Sequence, residues 1–120
     1  LNIYFSLSYG NLKINFITSI VKSDVINKIG IWQNYTIGNI FIGTFSITVG
    51  ASNLAYNDCI IATGFPKPFN GDVPVYVKST SHIYQCTITK NGELKTLWTD
   101  AAIQANSNII LETCYAIKTE

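Results

Sequence analysis

Residues 84–98 read YQCTITKNGELKTLW. Tyr84, Cys86 and Ile88 fall on alternate positions, the period of a strand with one face buried. Asn91-Gly92 follows, and Asn-Gly between two apolar runs is the strongest short hairpin signal, because both central residues of a type I′ turn need φ > 0. Leu94 to Trp98 then returns as the partner strand. Paired symmetrically about that turn, Thr89 faces Leu94, Tyr84 faces about Thr99, and His82 faces about Ala101.

The same alternation recurs along the chain, and helical periodicity hardly appears. Ile3 to Leu7 and then Leu12, Ile14 and Phe16 flank Gly10-Asn11, so residues 2–18 read as a hairpin. Phe41, Phe45, Ile47 and Val49 share one face of a strand starting near Asn39. Val73, Val75 and Val77 share another, and Ile109, Leu111, Thr113, Tyr115 and Ile117 form the last strand. Nineteen Ile, twelve Thr, seven Tyr and six Phe suit a pleated, half-buried surface. The best helical stretch, Thr99 to Ala105, starts at Asp100 and is one or two turns at most. Gly64-Phe65-Pro66-Lys67-Pro68-Phe69-Asn70-Gly71 is a rigid connection, since two prolines fix φ and remove donors. Eight to ten strands with turn signals roughly every 8–12 residues predict a single all-β domain, an antiparallel sandwich or small barrel.

Composition narrows the function. Only 12% of the 120 residues are charged, against about 25% in a typical soluble domain. Asn, Gln, Ser and Thr together supply 36 residues instead. The net charge is +1, the lysines are scattered and there is no Arg, which excludes a phosphate-tracking nucleic-acid surface. No apolar run reaches the 18 or so residues of a membrane span. Residues 1–20 are apolar-rich but broken by Asn11, Lys13 and Asn15, whereas a signal peptide places its positive charge first. The chain starts at Leu1 and has no Met, as expected of a piece of a longer protein. So little charge on a domain this size predicts that part of its surface packs against copies of itself. Trp32, with Phe65 and with Ile60 or Ile110, is expected on such faces.

Cys59, Cys86 and Cys114 lie 27 and 28 residues apart. An odd number at wide spacing is no disulfide framework, and no CxxC points to zinc. They read as small buried hydrophobes in three strands, in a protein that folds in a reducing compartment.

From about Val25 onward the order of several short motifs becomes informative. Lys28-Ile29-Gly30-Ile31-Trp32 is followed by the apolar strand from Phe41 to Val49. Ile60-Ile61-Ala62-Thr63-Gly64-Phe65-Pro66-Lys67-Pro68 comes next, then a strand from Pro74 to Lys78. Cys86-Thr87-Ile88-Thr89-Lys90-Asn91-Gly92-Glu93-Leu94 makes a hairpin, and Glu112-Thr113-Cys114-Tyr115 closes the chain. In this order the sequence resembles the C-terminal receptor-binding head domains of bacteriophage tail-fibre and baseplate proteins, over about 95 of 120 residues. Residues 1–20 fall outside the clearer match and read as a neck or an added edge hairpin. The resemblance implies a jelly-roll-like β-sandwich, a homotrimer, display on the virion tail tip, folding in the host bacterial cytoplasm, and adhesion to a host cell-surface polysaccharide or glycan. The alternative is a structural trimerisation or capping tip with no ligand site of its own.

The chemistry-bearing residues favour binding over catalysis. His82 is the only histidine, which excludes a metal site of several His ligands. No G-x-S-x-G elbow is present, and the acids show no pairing at strand spacing, so no enzyme activity, cofactor or metal is expected. Saccharide binding needs an aromatic ring for the C–H face of a sugar and planar polar groups for its hydroxyls. The hairpin places His82, Tyr84, Trp98 and Asp100 on one rim, and Tyr56 with Asp58 in the polar loop 51–58 offers a second ring and carboxylate. Each also has a plainer reading: Trp98 as core, His82 as a solvated loop residue, 56–58 as a solvated turn, and Trp32 as core or interface.

Overall fold

A computed structural model describes residues 13–55, 57–97 and 101–118. Nine strands follow in order: β1 (Ile14–Phe16), β2 (Val21–Lys22), β3 (Ile26–Ile37), β4 (Ile40–Val49), β5 (Ile60–Thr63), β6 (Val73–Lys78), β7 (Ile83–Ile88), β8 (Leu94–Thr96) and β9 (Asn108–Ala116). There is no helix among the described residues. The fold is therefore all-β and antiparallel, with nine strands among the described residues.

The alternation read in the sequence is the alternation of burial. In β4, Phe41, Phe45, Ile47 and Val49 are buried, while Ile42, Thr44, Ser46 and Thr48 stay partly exposed. Val75 and Val77 of β6, Tyr84, Cys86 and Ile88 of β7, and Ile109, Leu111 and Tyr115 of β9 join the same core. Its centre is aromatic. Phe65 meets Phe45 edge-on at 5.5 Å and Phe41 at 6.4 Å, and Phe41 packs against Tyr115 at 5.2 Å. Gly43, between the two phenylalanines of β4, leaves room for them: a Cβ there would lie 2.6 Å from Phe45 Cε2 and 2.8 Å from Phe41 Cζ. Phe65 thus belongs to the core and not to an outward face, because the turn after β5 folds it back under the sheet.

All nine strands form one sheet in the order β1-β3-β4-β9-β6-β7-β8-β5-β2. The edge strands β1 and β2 are separated by only four residues in sequence, which at about 3.3 to 3.6 Å per residue span less than about 18 Å. The sheet must therefore curl until its edges nearly meet, enclosing the core. Ile17–Ile20 straps the seam. Asn34 holds one side, accepting the Ile17 N–H on its carbonyl and donating from Nδ2 to the Ile17 carbonyl, both at 2.9 Å. On the other side Ser19 Oγ donates to the Gly64 carbonyl at 2.6 Å and Ser23 N–H to the Ile61 carbonyl at 3.0 Å.

Several expectations are corrected. Only β1 of the expected 2–18 hairpin lies within the described residues; it pairs with β3, and residues 2–12 lie outside them. The described part of the expected helix, 101–105, is not helical: a bend at 101 and a turn starting at 105 flank Ile103, which forms a β-bridge with Leu54 and is buried, so burial overrides the alanines' preference. Cys86 alone of the cysteines is buried. Cys59 precedes β5 and is half-buried, and Cys114 points outward from β9. The Asn91-Gly92 turn is not type I′, because of the two only Gly92 has positive φ. Gly92 N–H bonds the Thr89 carbonyl and Thr89 N–H the Glu93 carbonyl, which makes Lys90-Asn91-Gly92 a three-residue loop. The register is therefore Ile88 opposite Leu94 and Cys86 opposite Thr96, one residue away from the symmetric expectation.

Candidate functional site

Strict alternation of strand direction gathers the connections at two ends. The β2–β3 turn (23–25), the described parts of the loop between β4 and β5 (50–55 and 57–59), the β6–β7 turn (79–82) and the described residues between β8 and β9 (97 and 101–107) share one end. This follows from Ile26 opposite Val49, Thr48 opposite Asn108 and Lys78 opposite both Ile110 and Ile83. Lys13 and Lys118 lie at the other end. There the Lys13 carbonyl takes the Gly38 N–H and Lys118 N–H bonds the Lys67 carbonyl. Loops carried on a rigid sheet are where binding residues concentrate.

The loop end is rich in neutral polar residues and tied together by backbone hydrogen bonds. Gly50 N–H donates to the Val25 carbonyl and Asn106 N–H to the Gly50 carbonyl, both at 2.9 Å. Asn53 Oδ1 accepts from the Ala105 N–H at 2.7 Å. Asn106 and Asp58 hold φ of 63° and 57°, a left-handed conformation that Asn and Asp tolerate better than other side chains. Between these loops lies a cleft of about 470 Å³ lined by Lys22, Asp24, Ile26, Asn27, Gly50, Ala51 and Asn106. Lys22 Nζ donates to the Ile26 carbonyl at 3.0 Å, so its ammonium is fixed at the wall. One cation, one carboxylate and two amides thus face a single opening. That donor and acceptor mixture suits a polyhydroxylated ligand.

The expected rim residues are only partly assembled here. His82 sits in the β6–β7 turn, where Ser79 N–H bonds its carbonyl at 2.8 Å and its own N–H bonds Ser79 Oγ at 3.1 Å. Its ring covers Tyr84, with centroids 4.6 Å apart and planes tilted by 52°. Tyr84 is only 6% exposed, so its ring is a core element capped by His82 and offers no free face. Asp58 is exposed and ion-paired to Lys95 at 3.4 Å, and its N–H bonds the Thr96 carbonyl, at the end of β8 on the His82 side. Tyr56, Trp98 and Asp100 lie outside the described residues.

Lys22, Asp24, Asn27 and Asn106 were not singled out from the sequence. They are brought together by long-range pairing, and the only local signals were the turn-forming pairs Ser23-Asp24 and Asn106-Ser107. Among the described residues no group of three or more His, Cys, Asp or Glu is placed to hold a metal ion. The clearly shifted acids are core groups: burial, with a smaller push from Cys59, raises the Cys86 thiol to about 12, and burial raises the Tyr115 phenol. Neither belongs to the loop end. Comparison with protein-family models, curated proteins and solved structures finds no match.

Proposed function

We propose that the chain is a receptor-binding head of a phage tail fibre or baseplate, attaching the virion to a host cell-surface saccharide through its loop end. The observation that carries this reading is the polar cleft, lined from three of the four connections at the end opposite Lys13 and Lys118. Its lining supplies the amides, carboxylate and ammonium that sugar hydroxyls pair with, and His82 and Asp58 stand at the same end. Adhesion needs no catalytic group, cofactor or metal. The free thiols suit a chain folded in a bacterial cytoplasm before it acts outside the cell.

In this reading the head is a homotrimer, and weak sites gain avidity through repetition. The seam supplies an apolar surface for the contact: Phe16, Val21, Ile31 and Trp32 are all exposed there, with Trp32 at 64%. Trp32 sits where the β3–β4 register shifts between Ile31 and Gln33. A purely structural trimer tip uses the same seam without the cleft.

Binding of the purified chain to candidate host cells tests the two. Adhesion predicts that cells retain the chain, and that Asp24→Ala with Asn27→Ala weakens retention tenfold or more while the far-ultraviolet circular dichroism stays native. A trimer in light scattering that no cell type retains supports the structural tip. A stable monomer removes the trimeric part of both readings.

A further inference from the structure

The outer face of the sheet carries a second set of polar and aromatic side chains, remote from the loop cleft. Register puts Gln33 of β3 opposite Thr44 of β4, and Thr44 opposite Glu112 of β9. On β6, Lys78 pairs with Glu112 at 3.7 Å, and Tyr76, two residues earlier, shares its face. Gln85 of β7 lies opposite Tyr76. Amide, hydroxyl, carboxylate, phenol and amide therefore cross five strands, about 19 Å at the usual strand spacing.

Two hollows meet at Glu112 along this row. One, of about 340 Å³, is lined by Gln33, Ile42, Thr44 and Cys114, among others; the second, of about 400 Å³, by Tyr76, Lys78, Ile83 and Ile110. Tyr76 is 54% exposed and Ile83 62%, in the middle of a sheet face where isolated polar residues would be ordinary. Thr44 Oγ1 donates to Gln33 Oε1 at 3.0 Å, which fixes the orientation of the amide at the wall of the first hollow. The one cation and one carboxylate of the trough neutralise each other.

We infer that this trough is a separate binding platform for an extended, uncharged polysaccharide chain. An aromatic ring between aliphatic flanks takes the C–H face of a sugar, and the amide, hydroxyl and carboxylate to one side take its hydroxyls. A trough with no net charge gives a charged polymer no advantage. A second copy of the chain would have to bury the half-exposed Lys78–Glu112 pair, at a desolvation cost that its attraction need not repay. This inference does not depend on the loop cleft.

Affinity electrophoresis of the whole chain through gels holding dextran, soluble starch, mixed-linkage β-glucan or the acidic polymer alginate tests it. Cys114, exposed and lining the first hollow, serves as a native probe through alkylation by an uncharged reagent. Expected are retardation by at least one neutral polymer, several-fold slower alkylation of Cys114 in its presence, and at least tenfold weaker retention for Tyr76→Ala. Tyr76→Phe, which keeps the ring, should retain most binding, and Lys67→Ala, exposed at the end away from the loops and outside both sites, should leave retardation unchanged. No retardation by any neutral polymer overturns the inference, as does retardation that Tyr76→Ala leaves intact in a folded protein. Cys114 already shielded in an oligomer without polysaccharide overturns it too, by assigning the face to a second copy.

Discussion

Ser19 and Gly64 interlock across the seam of the sheet. Ser19 Oγ donates to the Gly64 carbonyl at 2.6 Å, while the Ser19 carbonyl occupies the place where a side chain on Gly64 would go. Gly64 also holds φ of +85°, so two independent constraints fix glycine there.

Gly64→Ala should therefore push the strap off the seam and destabilise the protein by about 3 kcal/mol or more, combining a left-handed backbone with a backbone collision. Gly71 has the same φ of +85° but open space around it, so Gly71→Ala should cost only about 1 kcal/mol. Urea unfolding of the two variants checks the difference. Equal costs would mean that the seam contact contributes nothing.

The Asn34 side chain anchors the other side of the strap from a buried position, with its Oδ1 unpartnered. Asn34→Ala leaves the Ile17 carbonyl without its side-chain donor and should cost about 1–3 kcal/mol. Hydrogen exchange should show the Ile17 and Ser23 amides opening faster, while the central amides of β4 and β9 change only with global stability. Uniform acceleration in all strands would contradict a locally anchored strap.

Gly43→Ala tests the aromatic centre. The added methyl would sit 2.6 Å from Phe45 Cε2, so the rings must move, at a cost of about 1–3 kcal/mol by overpacking. Near-ultraviolet circular dichroism should change along with the denaturation midpoint. A neutral substitution would mean that the rings have slack to yield.

Alkaline stability follows from Cys86. Its thiol is raised from an ordinary 9.0 to about 12 in the folded chain, so above pH 9 the unfolded state releases a proton that the folded state keeps. The stability this group contributes is full below pH 9 and is lost as pH rises towards 12, at about 1.4 kcal/mol per pH unit. Cys86→Val should flatten that part of the stability–pH curve. Thiol alkylation of the native chain at pH 8 should accordingly run fastest at exposed Cys114 and slowest at Cys86.

The buried faces of the longer strands were legible because burial alternates with the same period as the sequence. Phe41, Phe45, Ile47 and Val49 show this most directly. Registers were less so: at Asn91-Gly92 the Thr89 hydroxyl accepts from the Asn91 and Glu93 amides and stabilises a three-residue loop in place of the two-residue turn. That single residue moves every cross-strand pairing inferred from it. The edge strands β1 and β2 were illegible as such, since two or three mostly exposed residues carry no period. The cleft was illegible for another reason. Lys22 and Asn106 meet only because distant strands pair, and no local pattern marks them.

The strap also sets the parity of the chain. β1 and β2 run in the same sense on opposite edges of the sheet, so together they make one ascent divided by the crossing at Ile17–Ile20. Seven further strands then alternate, giving eight passes in all. An even number returns the polypeptide to the side from which it came. Lys13 and Lys118, the outermost described residues, thus both stand on the side away from the four loops, and the loop end is built entirely from connections between strands.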